Sequence, residues 1–337
     1  MSSSNRSALI GIIANCTSQP NRVDLVDELG EPMNGFFPPL KFTYKDSTGE
    51  IIPLDLQPNE VLTPEGTNRG KLAMFSAVEY LVSSGAKVIC FTASTKRLPG
   101  RLGQELKNMY PDITFSIGDN ATTVSCLSTF SHFLSDNFDK ANDQVVVMGV
   151  GFLGIKSVEY LIRNGCQNIT VLTEQKNCFP QGVSVVNSFK ELLGQIKIFI
   201  SCSHKYEIDP LSFRELLRPD AIILDVAVPP GIGYETYVSL SKTVSRFDIG
   251  DLFLTDIKYS FPPQILSFPG IGFWYGCFGE AVMLEIVRQA GEDLSNYNFF
   301  EVSQANQDLV TKYLRHEQVT VPLINFFAPN GVKYIPL

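Results

Sequence analysis

Gly149, Gly151 and Gly154 are the residues whose spacing points most directly to chemistry. They follow four apolar residues, Val145 to Met148, and open a helical pattern that closes on Gly165. Strand, tight turn and helix in that order form a dinucleotide fingerprint. The first glycine makes the turn, the second lets backbone approach a pyrophosphate, and the third lets helix and strand pack closely. Phe152 and Leu153 occupy the helix start, where unpaired N–H groups face phosphate. A second strand, Ile169 to Thr173, ends at Glu174, where the fingerprint places an acid for the ribose 2'-hydroxyl. A turn that is glycine-rich for purely structural reasons is the competing reading.

Cys277 is the second chemical feature. It directly follows Gly276 at the start of an amphipathic helix, where the partial positive charge of a helix N-terminus favours the thiolate. Glu280 lies three residues on and on the same face, placed to relay a proton or to cap the helix. A carboxylate there would oppose a thiolate, so this reading requires Glu280 to be protonated or turned away. The bland alternative is a cysteine buried as a small hydrophobe.

These residues need a scaffold, and the sequence supplies an α/β one. Strands are expected at 9–16, 87–92 and 112–117, a hairpin over 41–56 turning at Ser47-Thr48-Gly49, and a helix whose apolar face is Leu72, Phe75, Val78 and Val82. After Gln144, strands at 145–149, 169–173, 197–201 and 221–226 alternate with helices, which implies a doubly wound parallel Rossmann sheet. Ligands gather at the carboxyl ends of such strands. Thr173, Ser201, Val226 and Ala227 are therefore cofactor candidates, with His204 read as a solvated loop residue. Asn120, Thr122 and Thr123 open a helix, as caps or as groups lining a substrate cleft. Residues 1–125 form a second α/β substrate domain, joined by returning helices from 276–337, and 126–275 form the dinucleotide domain.

Composition narrows the class. With 44% hydrophobic and 18% charged residues in a chain of 337, two folded domains are expected and disorder is not. A net charge of -8 argues against nucleic acid. No apolar run reaches the length of a membrane span, so a soluble cytoplasmic protein is expected. Seven scattered cysteines without a CxxC pair indicate neither a disulfide framework nor a metal site.

The stretch Cys277-Phe278-Gly279-Glu280-Ala281-Val282-Met283-Leu284-Glu285 resembles the CFAEAxLLE segment of the cyanobacterial-type long-chain fatty acyl-carrier-protein reductases, which form aldehydes. Ile10 to Ser18, the Phe91-Thr92-Ala93-Ser94 loop and Asp119-Asn120-Ala121-Thr122-Thr123 are similar to further segments of that family, in the same order. The resemblance implies that Cys277 takes the acyl group as a thioester, that Ser94, Asn120, Thr122 and Thr123 lie toward substrate, and that Lys205 matches a family lysine. It implies NADPH as cofactor and an acyl carrier protein or acyl-CoA as partner. Glu174 stands where the family has an arginine suited to a 2'-phosphate, so NADH is an alternative, although Lys176 could reach a phosphate. An acidic carrier would need a basic face, for which Lys96, Arg97, Arg101 and Lys107 are the candidates. Two rival functions fit the same motifs: a non-covalent shikimate-dehydrogenase-like enzyme for a small hydroxy or amino acid, using lysine or aspartate side chains, and a non-catalytic NAD(H)- or lipid-binding protein. Acyl chain length and oligomeric state are left open.

Overall fold

A computed structural model describes residues 9–100, 103–135, 138–175, 179–203, 210–240, 244–329 and 331–337. The chain divides into two compact units, the first comprising 1–122, 252–320 and 337, the second 123–251 and 321–336. The expected boundaries therefore shift. Residues 252–275 belong with the first unit, and 321–336 with the second. The division falls inside one helix, α4 (Asp119–Ser135).

In the first unit, β1 (Leu9–Asn15), β2 (Leu40–Tyr44), β3 (Ser47–Leu54), β4 (Ala86–Phe91) and β5 (Thr114–Ser116) join a later strand, Ile257–Tyr259, in a sheet. β1 is central and runs parallel to β3 and β4, and β5 runs parallel to β4. β2 and the Ile257–Tyr259 strand pair antiparallel at one edge. The interior of β1 is buried throughout, which explains its unbroken apolar run. The hairpin turns two residues earlier than expected, at Lys45 and Asp46, with Lys45 at φ 51°. Gly49 lies instead within β3, because the Phe42 ring covers it: a Cβ there would sit 2.1 Å from that ring.

Helix α1 (Gln19–Leu29) follows β1, and α2 (Pro64–Ser83) precedes β4. Thr63 caps α2 by accepting from the Gly66 N–H. The buried face of α2 is Ala73, Met74, Ala77, Val78 and Leu81, whereas Leu72 is 73% exposed. The helix is where the periodicity predicts it, but its inner face is rotated from the expected one. Between β4 and β5 lies α3 (Gln104–Met109).

In the second unit, β6 (Gln144–Met148), β7 (Ile169–Leu172), β8 (Val183–Val186), β9 (Ile196–Ser201), β10 (Leu217–Asp225) and β11 (Ser245–Asp248) form an all-parallel sheet. Its order, β11-β10-β9-β6-β7-β8, places the first strand between the second and fourth. That is the doubly wound order whose direction reverses between β6 and β9, the place where such sheets bind ligands. Val145 and Val147 face a core shared with α4 and α5 (Phe152–Arg163). Val146 and Met148 face the opposite core, shared with Phe213 of α6 (Pro210–Leu216) and Leu240 of α7 (Tyr234–Leu240).

β11 carries a buried ion cluster. Arg246 donates to Asp225 at 3.1 Å and to both oxygens of Asp248 at 2.6 and 2.8 Å. Residues 321–336 join this unit through the same cluster, since the Asn325 side chain accepts from Arg246 and Ile324 bridges to Asp248.

The 252–275 segment joins the first unit through its aromatics. Trp274, fully buried, packs on Phe42 at 4.9 Å and stacks on Tyr259 at 5.5 Å. It leads into α8 (Gly276–Gln289), which is followed by α9 (Gln304–His316), capped by Ser303. No helix among the described residues is long and apolar enough to cross a membrane.

Candidate active site

In the first unit, the carboxyl ends of β4 and β5 lead to two groups of functional side chains around the start of α8. Cys277 is the second residue of α8 and is half-buried. No side chain caps this helix. Gly118, just after β5, lies directly against the cysteine: a Cβ at Gly118 would stand 2.3 Å from Cys277 Cβ and 2.5 Å from its Cα. Gly118 holds φ +73°, a left-handed conformation that glycine adopts without strain. Below the cysteine, the buried Cys90 thiol of β4 donates to the Cys277 carbonyl oxygen at 3.3 Å.

Glu280, one turn along α8, is fully buried rather than turned outward. Its Oε1 accepts from the Ser116 hydroxyl and, at 3.3 Å, from Asn120 Nδ2; its Oε2 accepts from the Ala121 N–H at 2.8 Å. Burial raises its pKa to about 7, against the lowering effect of these donors. Of the two conditions the sequence reading set, Glu280 is not turned outward, and burial shifts its carboxyl toward the protonated form.

This environment has a pH consequence. A carboxyl whose folded pKa lies above its unfolded value of 4.5 keeps its proton longer in the folded state, so its contribution to stability falls as pH rises from about 4.5 to about 7. Glu280→Gln should flatten that part of the stability profile. Urea unfolding from pH 4.5 to 8 measures it, and an unchanged slope in the variant would refute the role.

The expected substrate contacts are engaged within the fold. Asn120 is wholly buried; its amide donates to Glu280 and to the Glu301 carbonyl, and its oxygen accepts from the Ser303 N–H. Because α4 begins at Asp119, Asn120, Thr122 and Thr123 lie inside its first turns rather than at its cap. The Thr122 hydroxyl donates to the Gly118 carbonyl, and Thr123 is buried. Ser94 is half-buried, with its N–H donating to the Asn15 side chain.

Lys96 was grouped by sequence with a basic docking face, and the structure gives it a different partner. Its ammonium donates to both oxygens of buried Asp119, at 2.8 and 3.0 Å. Asp119 is the neighbour of Gly118, so this pair adjoins the cysteine. Lys107 is likewise engaged, by Asn298 and by the Phe300 ring. Arg97 is exposed, and Arg101 lies outside the described residues. Sequence alone had no signal for the Lys96–Asp119 or Ser116–Glu280 contacts, which join residues far apart in the chain.

In the second unit, the three glycines occupy the turn between β6 and α5. Gly149 holds φ +91°, and a Cβ there would stand 2.7 Å from Ser203 Cβ. At Gly154 a Cβ would press 2.0 Å from the Gly149 carbonyl oxygen. At Gly151 a Cβ would meet nothing within 4 Å. Two glycines are thus demanded by the fold, and the third opens onto space, the pattern that fits an approaching pyrophosphate. Phe152 is exposed at the start of α5, and Leu153 is half-buried.

Thr173, directly after β7, is buried, its hydroxyl accepting from the Gln175 N–H, and Glu174 beyond it is exposed. Ser201 is buried at the end of β9. Val226 and Ala227 follow β10 in a loop fixed by Asp225, whose carboxylate accepts from the N–H groups of Ala227, Gly231 and Ile232. Lys176, His204 and Lys205 lie outside the described residues, and no metal-ligand cluster is present among the described ones.

No known protein family and no curated protein matches the chain. Among solved structures, it is similar to shikimate dehydrogenase 1 from Peptoclostridium difficile at 9% identity, over 92% of this chain and 98% of that one, with a TM-score of 0.40. It is similar to an NAD-dependent malic enzyme from Thermotoga maritima at 16% identity, over 92% and 84%, with a TM-score of 0.37. A third likeness, to CAD from Helicobacter pylori complexed with NADP(H), is 20% identical, has a TM-score of 0.30, and spans only 37% of this chain and 38% of that one.

Proposed function

We propose that this chain is a nicotinamide-dependent oxidoreductase that reduces an acyl thioester to an aldehyde through Cys277. The reading rests on one observation: a half-buried cysteine at the uncapped start of α8, one turn from a buried carboxyl with a pKa of about 7. The Cys277 thiolate attacks the thioester carbonyl of an acyl carrier protein or acyl-CoA. The new S–C bond replaces the old one, and the carrier leaves as its thiol after taking a proton. N–H groups of the first turn of α8 are the nearest donors for the developing oxyanion. Gly149, Gly151 and Gly154 would hold a nicotinamide dinucleotide, and its chemistry would be hydride donation to the enzyme thioester to give a hemithioacetal. Collapse of that adduct returns the Cys277 sulfur and releases the aldehyde. The exposed carboxylate of Glu174 suits a ribose 2'-hydroxyl and repels a 2'-phosphate, which favours NADH over NADPH.

Intact-protein mass spectrometry tests the covalent step. The protein mixed with long-chain acyl-CoA or acyl carrier protein, without reduced cofactor, should gain the mass of the acyl group. Cys277→Ser should gain nothing. An adduct that survives in Cys277→Ser, or no adduct with either donor, refutes the reading.

The Lys96–Asp119 pair favours a second reading, in which hydride transfer needs no covalent intermediate. An ammonium oriented by a buried carboxylate can protonate the oxygen of a keto acid as it becomes a hydroxyl. Turnover of a small hydroxy acid that is lost in Lys96→Met and retained in Cys277→Ala would select this reading.

A further inference from the structure

Cys277 has a second thiol against its backbone, that of Cys90, and neither cysteine is in a disulfide. Cys90 reaches from β4 to within 3.3 Å of the Cys277 carbonyl oxygen, and β4 packs directly against α8. The two residues are 187 positions apart in sequence, so the contact is a product of the fold. Their exposures differ: Cys277 is half-buried, whereas Cys90 is inaccessible. A dissolved oxidant can therefore reach the first and not the second. Ser116 lies beside both Cys90 and Glu280: its hydroxyl donates to the Glu280 carboxylate, and it hydrogen-bonds the Cys90 side chain. Cys90, Ser116 and Glu280 form a buried path along which a thiol proton can move.

We propose that Cys90 and Cys277 are a peroxide-responsive pair, Cys277 the reacting thiol and Cys90 the resolving one. In the first step the Cys277 thiolate attacks one oxygen of a hydroperoxide. The O–O bond breaks, sulfur is oxidised to Cys277–SOH, and the other oxygen leaves as water or an alcohol after protonation. In the second, the Cys90 sulfur attacks the sulfenic sulfur, an S–S bond replaces the S–O bond, and hydroxide leaves as water. The proton lost by Cys90 is the one the departing hydroxide takes up, relayed by Ser116 and Glu280, so the step releases one water and no net proton. The carbonyl contact sets the Cys90 sulfur against the backbone of Cys277, so the two side chains start from neighbouring positions, and a disulfide requires their Cβ atoms to come to about 3.5–4.5 Å. The disulfide blocks Cys277 from its substrate, shields it from irreversible oxidation to the sulfinic acid, and is reopened by a thiol reductant. The pair requires only the Cys277 thiol, so it is independent of whether that thiol also carries an acyl group.

The full-length protein treated with stoichiometric hydrogen peroxide, then digested without reductant, provides the test. The intact mass should fall by about 2 Da, and the Cys90 and Cys277 peptides should appear as one cross-linked species that dithiothreitol separates. In Cys90→Ser and Cys90→Ala the cross-link should vanish and Cys277 should gain about 32 Da as the sulfinic acid. The proposal is overturned if wild-type Cys277 goes to the sulfinic acid without a link to Cys90. It is equally overturned if Cys277 stays unoxidised, or if it links to another of the seven cysteines. Should either variant fail to fold, the wild-type peptide map still decides.

Discussion

Gly118→Ala is expected to destabilise the first unit by about 2–5 kcal/mol and to disable Cys277 together with it. Two costs add. A left-handed φ of +73° is unfavourable for alanine by roughly 1–2 kcal/mol. Overpacking a filled site adds about 1–3 kcal/mol, because the new methyl would lie 2.3–2.8 Å from the Cβ, Cα and carbonyl oxygen of Cys277. Those are backbone and near-backbone atoms, so no flexible side-chain end can move aside. Relief requires the first turn of α8 to shift, and that shift carries the thiol away from its position. Chemical denaturation gives the stability change, and the rate of Cys277 alkylation by iodoacetamide reports on the thiol. A variant matching the wild type in both would show that the contact is looser than described.

The second large effect separates two glycines that look equivalent in sequence. Gly154→Ala is expected to lower stability by roughly 1–3 kcal/mol and to weaken NADH binding together with it, since its methyl would collide with the Gly149 carbonyl oxygen at 2.0 Å. Gly151→Ala should leave stability within about 0.5 kcal/mol, because its methyl meets nothing within 4 Å. It should nevertheless weaken NADH by tenfold or more, a change of about 1.4 kcal/mol, by filling the space the pyrophosphate needs. Thermal unfolding and NADH titration of both variants measure the contrast. Tight NADH binding by Gly151→Ala would remove the pyrophosphate from this turn.

The glycine turn was legible because its three demands are local: a positive φ, a close carbonyl and an open approach all arise within a few residues of β6 and α5. Cys277 at a helix start was legible for the same reason. The setting of Glu280 was not. Burial raises its pKa against donors from Ser116, Asn120 and Ala121, about 160 residues away, and no spacing rule connects them to α8. The Lys96–Asp119 pair was hidden on similar grounds, since a lysine in a loop looks solvated until the buried aspartate beside it is seen.

Local backbone choices also misled. Lys45 takes the left-handed position that Gly49 seemed made for, while Gly49 makes room for the Phe42 ring. β11 went unrecognised because its Arg246 reads as a surface residue, although Asp225 and Asp248 neutralise it in the core. β8 is an edge strand with a half-exposed, polar pattern and no apolar run to betray it.

The closeness of Gly118 to α8 bears on how this sequence can drift. Its clash is with the Cα and carbonyl oxygen of position 277 as much as with the Cβ, and every amino acid possesses those two atoms. A descendant that exchanges the cysteine for another residue therefore remains under the same pressure to keep the glycine. Retention of glycine here would record ancestry of the fold, and only the residue opposite it would reveal whether the chemistry had survived.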